Sequence, residues 1–322
     1  MKKQILVLTM SQSQSKYEVT RLEEEAKKEG IEIHKALYKD MKFGFENGGE
    51  VYIKGEEVTL ENTLAVWFRV AGTVSGKYVE GRNVLIRILE SKGIFCSNHD
   101  GYLSWARMGK IAQHGVFIIN SIPVVPTRIF YTKDEVRQEI MANGEVAHFG
   151  WPVIVKHDRG FQGKSVRKFD TAKAALEWVN KMDEVNLGMF LWQKCLSTKW
   201  DLRVIVLGGK AIGAMKRSAV GKEFRSNFSL GGMVEKWRLS EEDARLAEKV
   251  AQVCGLDYAG VDIMKSRKIE SLKSKVENEK FREEDYESFV LEVNRQCQYQ
   301  GFEKATGINV AKLVVDMLIH KR

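Results

Sequence analysis

Two apolar stretches near the carboxyl end of the chain carry acidic and amide side chains that are suited to binding a metal ion. They are Gly260-Val261-Asp262-Ile263 and Leu291-Glu292-Val293-Asn294. A carboxylate that faces an apolar core is costly unless it is paired or bound to a metal. If the stretches are antiparallel neighbouring strands, Asp262, Glu292 and Asn294 converge, because alternation puts the last two on one face. Their oxygens favour Mg²⁺, or Mn²⁺, shared with nucleotide phosphates. The alternative is two unrelated strands with polar residues at their edges.

A lysine precedes a glycine-bearing loop in the middle of the chain. Lys156 ends an apolar run, and Gly160-Phe161-Gln162-Gly163 follows it. An ammonium group at this point can contact nucleotide phosphates while backbone N–H groups of the loop approach them. The stretch is not a P-loop, because no Gly-Lys-Ser/Thr begins a helix. The alternative is a solvent-exposed lysine, and Lys110 is a weaker candidate of the same kind.

A third set of polar residues alternates along two predicted strands and continues into the loop after them. Asp201 and Arg203 share a face of their strand, where an arginine can clamp a phosphoryl group or a developing oxyanion. A salt-bridged, exposed sheet face explains the pattern equally well. The sequence offers no nucleophile–base pair, which favours phosphate activation over a covalent intermediate on the protein. The members of this set are Asp201, Arg203, Lys216, Arg217, Arg225 and Asn227.

The elements that position these residues follow from hydrophobic periodicity. A strand, a helix and a second strand at the amino end predict a small parallel sheet. Thr132 and Glu135 form a capping-box pattern before one helix, and Ser240 and Gly255 bracket another. We expect three units, at residues 1–97, 98–195 and 196–322. The predicted strands are at residues 4–9, 31–36, 64–69, 94–96, 151–156, 166–169, 190–193, 201–207, 211–217, 258–264 and 289–294. The predicted helices are at residues 15–28, 78–92, 102–114, 133–143, 171–182, 240–254 and 308–320.

Composition sets limits on the class of protein. The chain has 322 residues, of which 44% are hydrophobic and 29% charged, so it is long enough for more than one core. A net charge of +8 favours an anionic partner such as a nucleotide or an acidic peptide. Nucleic acid is disfavoured because the basic residues are not interleaved with aromatic ones. Four scattered cysteines, the lack of a long apolar run and the lack of a signal-peptide pattern predict a cytoplasmic protein with free thiols and no membrane anchor.

Seven motifs in this order resemble the ATP-grasp superfamily, most closely the RimK-type ligases that add glutamate to a protein or peptide end. The resemblance covers nearly the whole chain. The motifs are Val155-Lys156 with Gln162-Gly163, Asp201-Leu202-Arg203, Lys216-Arg217, Phe224-Arg225-Ser226-Asn227 with Gly231-Gly232, Ala259-Gly260-Val261-Asp262-Ile263, Leu291-Glu292-Val293-Asn294, and Gly301-Phe302-Glu303-Lys304-Ala305-Thr306-Gly307-Ile308-Asn309.

The resemblance implies a mixed α/β and α+β architecture, in which a Rossmann-like amino-terminal domain precedes two α+β subdomains that clamp ATP. The implied metal ligands, for Mg²⁺, are Asp262, Glu292 and Asn294. The implied catalytic residues are Arg203, Arg217, Arg225 and Asn227. The implied nucleotide-binding residues are Lys110, Lys156, Gln162, Gly163, Gln193, Lys194, Cys195, Leu196 and Asp201. Among these, Lys194 and Leu196 would contact adenine through their backbone, and Asp201 would hold the ribose.

Four departures from the family pattern concern the substrates more than the ATP chemistry. The loop after Gly163 continues with Lys164-Ser165 where a further glycine is common. Lys194 stands in the hinge where the relatives commonly have an acidic residue. Residues 295–299 lack the common Ser-Pro-Gly, and residues 266–286 form a charged insertion. Because the segment after Asn294 is expected to border the acceptor pocket, its change bears on which acceptor is used.

The resemblance implies an enzyme that transfers the γ-phosphate of ATP to a carboxylate, after which an amine attacks the acyl phosphate and forms an amide. Its partners would be an amino-acid carboxylate and an amine on a small molecule, a peptide or a protein end. A homo-oligomer, dimeric or tetrameric, is left open. The alternatives are a kinase on the same scaffold and a non-catalytic ATP-binding switch protein.

Overall fold

The computed structural model describes most of the 322-residue chain. The described residues are 3–11, 13, 15–46, 48–69, 76–105, 107–143, 149–160, 165–198, 200–219, 233–267 and 285–321. Gln162, Gly163, Arg225 and Asn227 lie outside them, as does most of the charged insertion at residues 266–286. Within the described ranges, no helix is both long enough and apolar enough to cross a bilayer. All four cysteines are free thiols; Cys96, Cys254 and Cys297 are buried as expected of such thiols, whereas Cys195 is only partly buried.

The amino-terminal part of the chain contains a parallel sheet and a small antiparallel sheet. Its elements are β1 (Gln4–Thr9), α1 (Lys16–Lys28), β2 (Glu32–Leu37), a 3-10 helix (Tyr38–Asp40), β3 (Met41–Gly44), β4 (Glu50–Ile53), β5 (Glu56–Glu57), β6 (Thr63–Phe68), α2 (Val79–Ser91) and β7 (Phe95–Cys96). The parallel sheet has the order β2-β1-β6-β7, which confirms the predicted βαβ opening. Residues of β1 are buried on both faces, as parallel strands usually are.

The central part of the chain contains an antiparallel sheet of order β10-β9-β11-β8 and two helices that cover it. Its elements are α3 (His99–Ser104), α4 (Lys110–Ile119), β8 (Thr127–Ile129), α5 (Lys133–Asn143), β9 (Val153–His157), β10 (Val166–Phe169), α6 (Ala172–Lys181), a 3-10 helix (Glu184–Met189) and β11 (Phe190–Lys194). The predicted capping box is confirmed, because Glu135 N–H donates to Thr132 Oγ1 and Thr132 N–H donates to Glu135 Oε2.

The prediction of one helix over residues 102–114 is wrong. The chain forms α3 and α4 instead, and residues 105–109 separate them. Gly109 is extended, with φ −73° and ψ 172°, so it cannot continue a helix and becomes the N-cap of α4. The hydrophobic pattern runs through this break because both helices pack against the protein interior.

The carboxyl-terminal part of the chain contains a five-stranded antiparallel sheet of order β14-β13-β12-β15-β16. Its elements are β12 (Trp200–Leu207), β13 (Lys210–Ser218), β14 (Met233–Trp237), α7 (Glu241–Val253), β15 (Tyr258–Arg267), β16 (Tyr286–Asn294), α8 (Gln300–Thr306) and α9 (Val310–His320). Ser240 caps α7, since its Oγ accepts a hydrogen bond from Asp243 N–H, and Gly255 follows with φ +65°. Both ends of α7 are as predicted.

The amino-terminal and carboxyl-terminal parts of the chain share a hydrophobic core, whereas the central sheet has its own. Ile5 of β1 belongs to the same buried cluster as Val314 of α9 and Ile205 of β12, so one core joins the amino-terminal sheet to one face of the five-stranded sheet. Phe117 of α4 packs into the core between that sheet and α7. The central sheet has a separate core around Trp192. The unit boundaries that we propose at residues 97 and 195 fall just after β7 and β11.

Replacement of Asp243 by alanine is expected to destabilise the protein by about 3 kcal/mol, because it removes the carboxylate from a buried ion pair. Asp243 has no exposed surface, and its carboxylate accepts from Lys265 Nζ at 2.7 Å and from Ser288 Oγ at 2.7 Å. The free energy of unfolding in urea measures the loss. Glu241→Ala on the same helix is the control, since that side chain is 91% exposed and its ion pair contributes about 0.5 kcal/mol. Equal effects of the two changes would contradict the prediction.

Candidate functional site

The two stretches that were predicted to carry metal ligands are antiparallel neighbours. In the ladder of β15 and β16, Asp262 lies opposite Glu292 and Gly260 lies opposite Asn294. Leu291 has no partner in this register, so a bulge follows the Asp262 pair. The predicted pairing is thereby confirmed, and it brings the two carboxylates to the same point of the sheet.

Asp262 accepts hydrogen bonds from two arginines. Arg203 donates to both carboxylate oxygens, from Nε to Oδ1 and from Nη2 to Oδ2, each at 2.7 Å. Arg217 Nη2 lies 2.9 Å from the same Oδ2, and Arg217 Nε donates to Asp201 Oδ1 at 2.6 Å. The strand register explains this cluster, because Arg203 lies opposite Asp262 and Arg217 lies opposite Asp201. Only small fractions of these side chains are exposed, so the pairs are weakly screened by solvent.

Glu292 is an ionised carboxylate in a cationic environment. Burial opposes its ionisation, but the charges of Lys110, Arg203 and Lys156 and a hydrogen bond from Asn294 lower its pKa to about 2. Lys110 Nζ lies 3.2 Å from Glu292 Oε2, and Asn294 Nδ2 donates to Oε1 at 3.2 Å. Asn294 thus joins Glu292 on one face, as the alternation predicts.

The donor set fits a divalent cation. Asp262, Glu292 and Asn294 all offer oxygen atoms, the kind of ligand that Mg²⁺ prefers. Asp262 Oδ2 accepts from two guanidinium groups, but Oδ1 accepts from one and keeps a lone pair. The described part of the chain holds no cluster of three or more His, Cys, Asp or Glu side chains that could bind a metal, and the predicted set combines two carboxylates with the amide of Asn294.

A cavity of about 450 Å³ opens beside these carboxylates, between the central sheet and the five-stranded sheet. Asp262 and Glu292 line one end of it, whereas Asn294 and Arg203 do not. Arg203 packs instead beside Gly260, where a Cβ atom would come within 2.7 Å of Cys297 Cβ. A cavity of this size accommodates a nucleotide-sized ligand.

Two lysines, Lys110 and Lys156, line the cavity together with these carboxylates. Lys156 lies on β9, and burial lowers its pKa. The nearby charge of Lys110 lowers this pKa further, whereas the carboxylates of Glu292, Asp201 and Asp262 raise it. Among the described residues, no carboxylate lies within ion-pair distance of the Lys156 ammonium. Lys110 Nζ donates to Gly160 O at 2.7 Å as well as contacting Glu292. Both lysines can reach an anionic ligand in the cavity.

The position of Lys110 depends on Asp158, which sequence reasoning did not single out. Lys110 is the first residue of α4, its N–H donates to Asp158 O at 3.3 Å, and Ile111 N–H donates to Asp158 Oδ1 at 2.8 Å. A Cβ atom on Gly109 would lie 2.3 Å from Asp158 Oδ2, so the close approach requires glycine. Asp158 therefore caps a helix that is distant in sequence and fixes the lysine at its end.

Replacement of Asp158 by alanine is expected to lower stability by about 1 kcal/mol, the usual cost of a lost helix cap. It should also raise the KM for nucleotide by about tenfold, since Lys110 loses its fixed position. Steady-state kinetics and thermal unfolding measure the two effects. Asp134→Ala, in the exposed first turn of α5, is the control and should change neither value appreciably. An unchanged KM in the Asp158 variant would show that the cap does not position Lys110.

A second positioning contact holds the strand that carries Glu292. Gln113 of α4 accepts from Val293 N–H at 2.8 Å and donates to Val293 O at 3.1 Å. A glutamine in an amphipathic helix gives no sequence signal for such a contact, because its partner is 180 residues away. The contact fixes β16 against the helix that carries Lys110.

The four predicted hinge residues, Gln193, Lys194, Cys195 and Leu196, all line the cavity. They end β11 and follow it, and the N–H of Lys194 donates to Pro126 O at 3.0 Å. Asp201 also lines the cavity but shares a hydrogen bond with Arg217. Ten of the twelve described members of the predicted site therefore line one cavity, and Arg203 and Asn294 are the two that do not. Lys110, Lys156, Gln193, Lys194, Cys195, Leu196, Asp201, Arg217, Asp262 and Glu292 line it.

Comparison with known proteins identifies relatives over nearly the whole chain. The model of the RimK-like ATP-grasp domain matches residues 107–318. A probable alpha-L-glutamate ligase of Aliivibrio fischeri (strain MJ11) is 28% identical over 312 residues, which are 96% of this chain and 93% of the relative. A probable alpha-L-glutamate ligase of Alkalilimnicola ehrlichii is 30% identical over 271 residues, which are 84% of this chain and 80% of the relative.

Solved structures show the same fold. The ATP-grasp ligase PsnB, in complex with a phosphomimetic variant of its minimal precursor, Mg and ADP, superposes with a TM-score of 0.69 at 20% identity over 98% of this chain and 97% of that one. An ATP-grasp ligase associated with ribosomally made peptides from Chryseobacterium gregarium, in complex with ADP and a leader and core peptide, gives a TM-score of 0.68 at 17% identity, and the match covers 99% of this chain and 97% of that one.

Proposed function

Because this chain belongs to the RimK-like ATP-grasp family, and is thus an ATP-dependent carboxylate–amine ligase, we propose that it joins a glutamate-like amino acid to a peptide or protein acceptor. The observation that carries the proposal is a cavity that Lys110, Lys156, Asp262 and Glu292 line together. Cations and oxygen ligands that line the same nucleotide-sized space are what phosphoryl transfer to a carboxylate requires.

The reaction has two steps. A carboxylate oxygen of the acid substrate attacks the γ-phosphorus of ATP, and ADP leaves. The nitrogen of the amine then attacks the resulting acyl phosphate, phosphate leaves, the amine loses a proton, and an amide remains. The first step brings two negative charges together, and the second develops negative charge on the carbonyl oxygen and the departing phosphate, so both are slow unless cations neutralise that charge.

The chain supplies these cations from three elements. We propose that Lys110 and Lys156 neutralise the phosphate oxygens and that Arg203, held by Asp262, neutralises charge on the acid substrate. Asp262, Glu292 and Asn294 would hold Mg²⁺, which when bound would neutralise further phosphate charge. We expect Mn²⁺ to substitute for it. Arg217 holds Asp201 and Asp262 in place, and Arg225 and Asn227 are proposed to contact the substrate.

The acceptor is proposed from charge and from the structural neighbours. The net charge of +8 favours an anionic acceptor, and several neighbours are complexes with precursor peptides. We therefore propose an acidic peptide or protein end as the acceptor, and the reducing cytoplasm, in which free thiols persist, as the compartment.

The test is ADP release in the presence of Mg²⁺, ATP, glutamate and an acidic peptide, with mass spectrometry of the peptide. The proposal predicts ADP release that needs both the acid and the amine, together with a mass increase of one or more glutamyl residues. A stable phosphorylated product without an amide would indicate a kinase. Nucleotide binding without turnover across a panel of acid and amine pairs would instead favour a switch protein.

A further inference from the structure

A buried hydrogen-bonded chain joins α4 to the hinge at one end of the cavity. His114 Nδ1 lies 2.9 Å from Lys110 O, and His114 Nε2 lies 2.9 Å from Gln193 Nε2. Gln193 Nε2 also donates to Thr127 Oγ1 at 2.9 Å, and Thr127 Oγ1 donates to Val125 O at 2.6 Å. His114 is 6% exposed and Gln193 2% exposed, so solvent does not compete for these contacts.

The direction of each hydrogen bond follows from its fixed end. A carbonyl oxygen only accepts, so His114 Nδ1 must carry the proton that faces Lys110 O. Burial, with the charges of Lys156 and Lys110, lowers the pKa of His114 to about 4 against the opposing effect of that hydrogen bond. The imidazole is thus neutral at pH 7, and its Nε2 accepts. The hydroxyl proton of Thr127 is used by Val125 O, so Thr127 Oγ1 accepts as well.

The orientation of the Gln193 amide is therefore fixed by two separate acceptors, His114 Nε2 and Thr127 Oγ1. Both N–H bonds of the amide are used, one toward His114 and one toward Thr127, and a flipped amide would place its oxygen against two acceptors. In the part of the chain that the structure describes, no group donates a hydrogen bond to Gln193 Oε1. Some of this oxygen's surface is exposed, since it is absent from the fully buried polar atoms that lack a partner. Since Gln193 lines the cavity, Oε1 is an acceptor that a ligand in the cavity can reach.

We propose that His114 is a positioning residue that, through Gln193, makes the hinge select nucleotides with an amino group on the base. Gln193 Oε1 accepts a hydrogen bond from the 6-amino group of adenine, whereas it repels the 6-oxo group of hypoxanthine or guanine. The proposal rests on the proposed function, in which ATP is the nucleotide. It identifies the Gln193 amide oxygen as the group that discriminates between bases. A site built to hydrogen-bond one group rejects analogues that lack it, because its own polar atom is left unpaired.

The test compares the binding of ATP and inosine triphosphate by isothermal titration calorimetry, which does not require turnover. The wild-type protein should prefer ATP by at least about tenfold, the worth of one good hydrogen bond. The double variant His114→Leu/Thr127→Val frees the Gln193 amide to rotate, and we expect it to lose most of that preference. Asn120→Ala is the control, because it removes another side-chain contact to a backbone carbonyl of α4, at 2.8 Å to Val116 O, without touching Gln193.

The outcomes separate this inference from the proposed function. Equal affinities of the wild-type protein for ATP and inosine triphosphate, or an unchanged ratio in the folded double variant, would overturn only the inference. Failure of the wild-type protein to bind any nucleotide would overturn both. The tautomer of His114 gives a test that needs no variant, since ¹⁵N NMR of the wild-type protein should show the proton on Nδ1. A proton on Nε2 would reverse the amide and overturn the inference.

Discussion

Replacement of Glu292 by glutamine is expected to lower kcat by about a thousandfold, the size of effect that follows loss of a charge acting on the transition state. The carboxylate is ionised, with a pKa of about 2, and lies at the cavity between Lys110 and Asn294. Glutamine has the same shape but no charge, so it weakens the cation site and leaves the charge of Lys110 uncompensated. ADP release under saturating ATP measures the loss.

The fold should survive this change. The ladder between β15 and β16 and the contacts of Gln113 with Val293 use backbone groups and not the Glu292 carboxylate. The matched control is Glu287→Gln, the same substitution at an exposed position of the same strand, which should leave kcat and the melting temperature unchanged. Near-normal turnover in the Glu292 variant would remove this residue from the mechanism.

Replacement of Arg203 by methionine is expected to lower kcat by about a hundredfold while changing the affinity for ATP by less than about threefold. Arg203 lies outside the lining of the cavity, so nucleotide contacts with Lys110, Lys156 and the hinge are retained. The variant loses two hydrogen bonds to Asp262, but Arg217 still contacts that carboxylate at 2.9 Å. Methionine keeps the packing of the arginine stem beside Gly260.

Single-turnover kinetics and nucleotide titration together test this expectation. Arg245→Met, on an exposed arginine of α7, controls for the general effect of removing a positive charge. Loss of ATP affinity in parallel with turnover would show that Arg203 anchors the nucleotide and does not assist the chemistry. Loss of folding would be visible as a lower melting temperature and would be compared with that of the Asp243 variant.

Local patterns in the sequence predict those elements whose signals are local. Alternation along residues 289–294 places Glu292 and Asn294 on one face of their strand. The structure confirms that this strand pairs with β15, as predicted. The caps at Thr132 and Ser240 are also correct, because each involves residues three positions apart. The helix over residues 102–114 is predicted wrongly, since the cap that begins α4 comes from Asp158, 47 residues after Ile111.

The site shows the same limit. Residue types alone indicate which side chains carry charge, but partners are set by tertiary structure. Arg217 illustrates this, because the sequence gives only its charge, whereas the structure shows it in contact with Asp201 and Asp262. His114 has no metal-binding spacing in the sequence, and its importance arises only when β11 brings Gln193 within 2.9 Å of it. Long-range contacts of this kind leave no periodic signal.

The core shared by the amino-terminal sheet and the five-stranded sheet affects how the protein can be shortened. Arg69, at the end of β6, is fully buried and donates to Cys297 O, and Asn98 donates to Arg295 O in the segment that follows Asn294. A fragment that consists only of residues 107–318, made as a minimal nucleotide-binding module, would therefore expose Ile205 and Phe302 and lack these donors. Such a fragment is expected to aggregate when expressed alone, whereas circular permutation that retains every segment should be tolerated better.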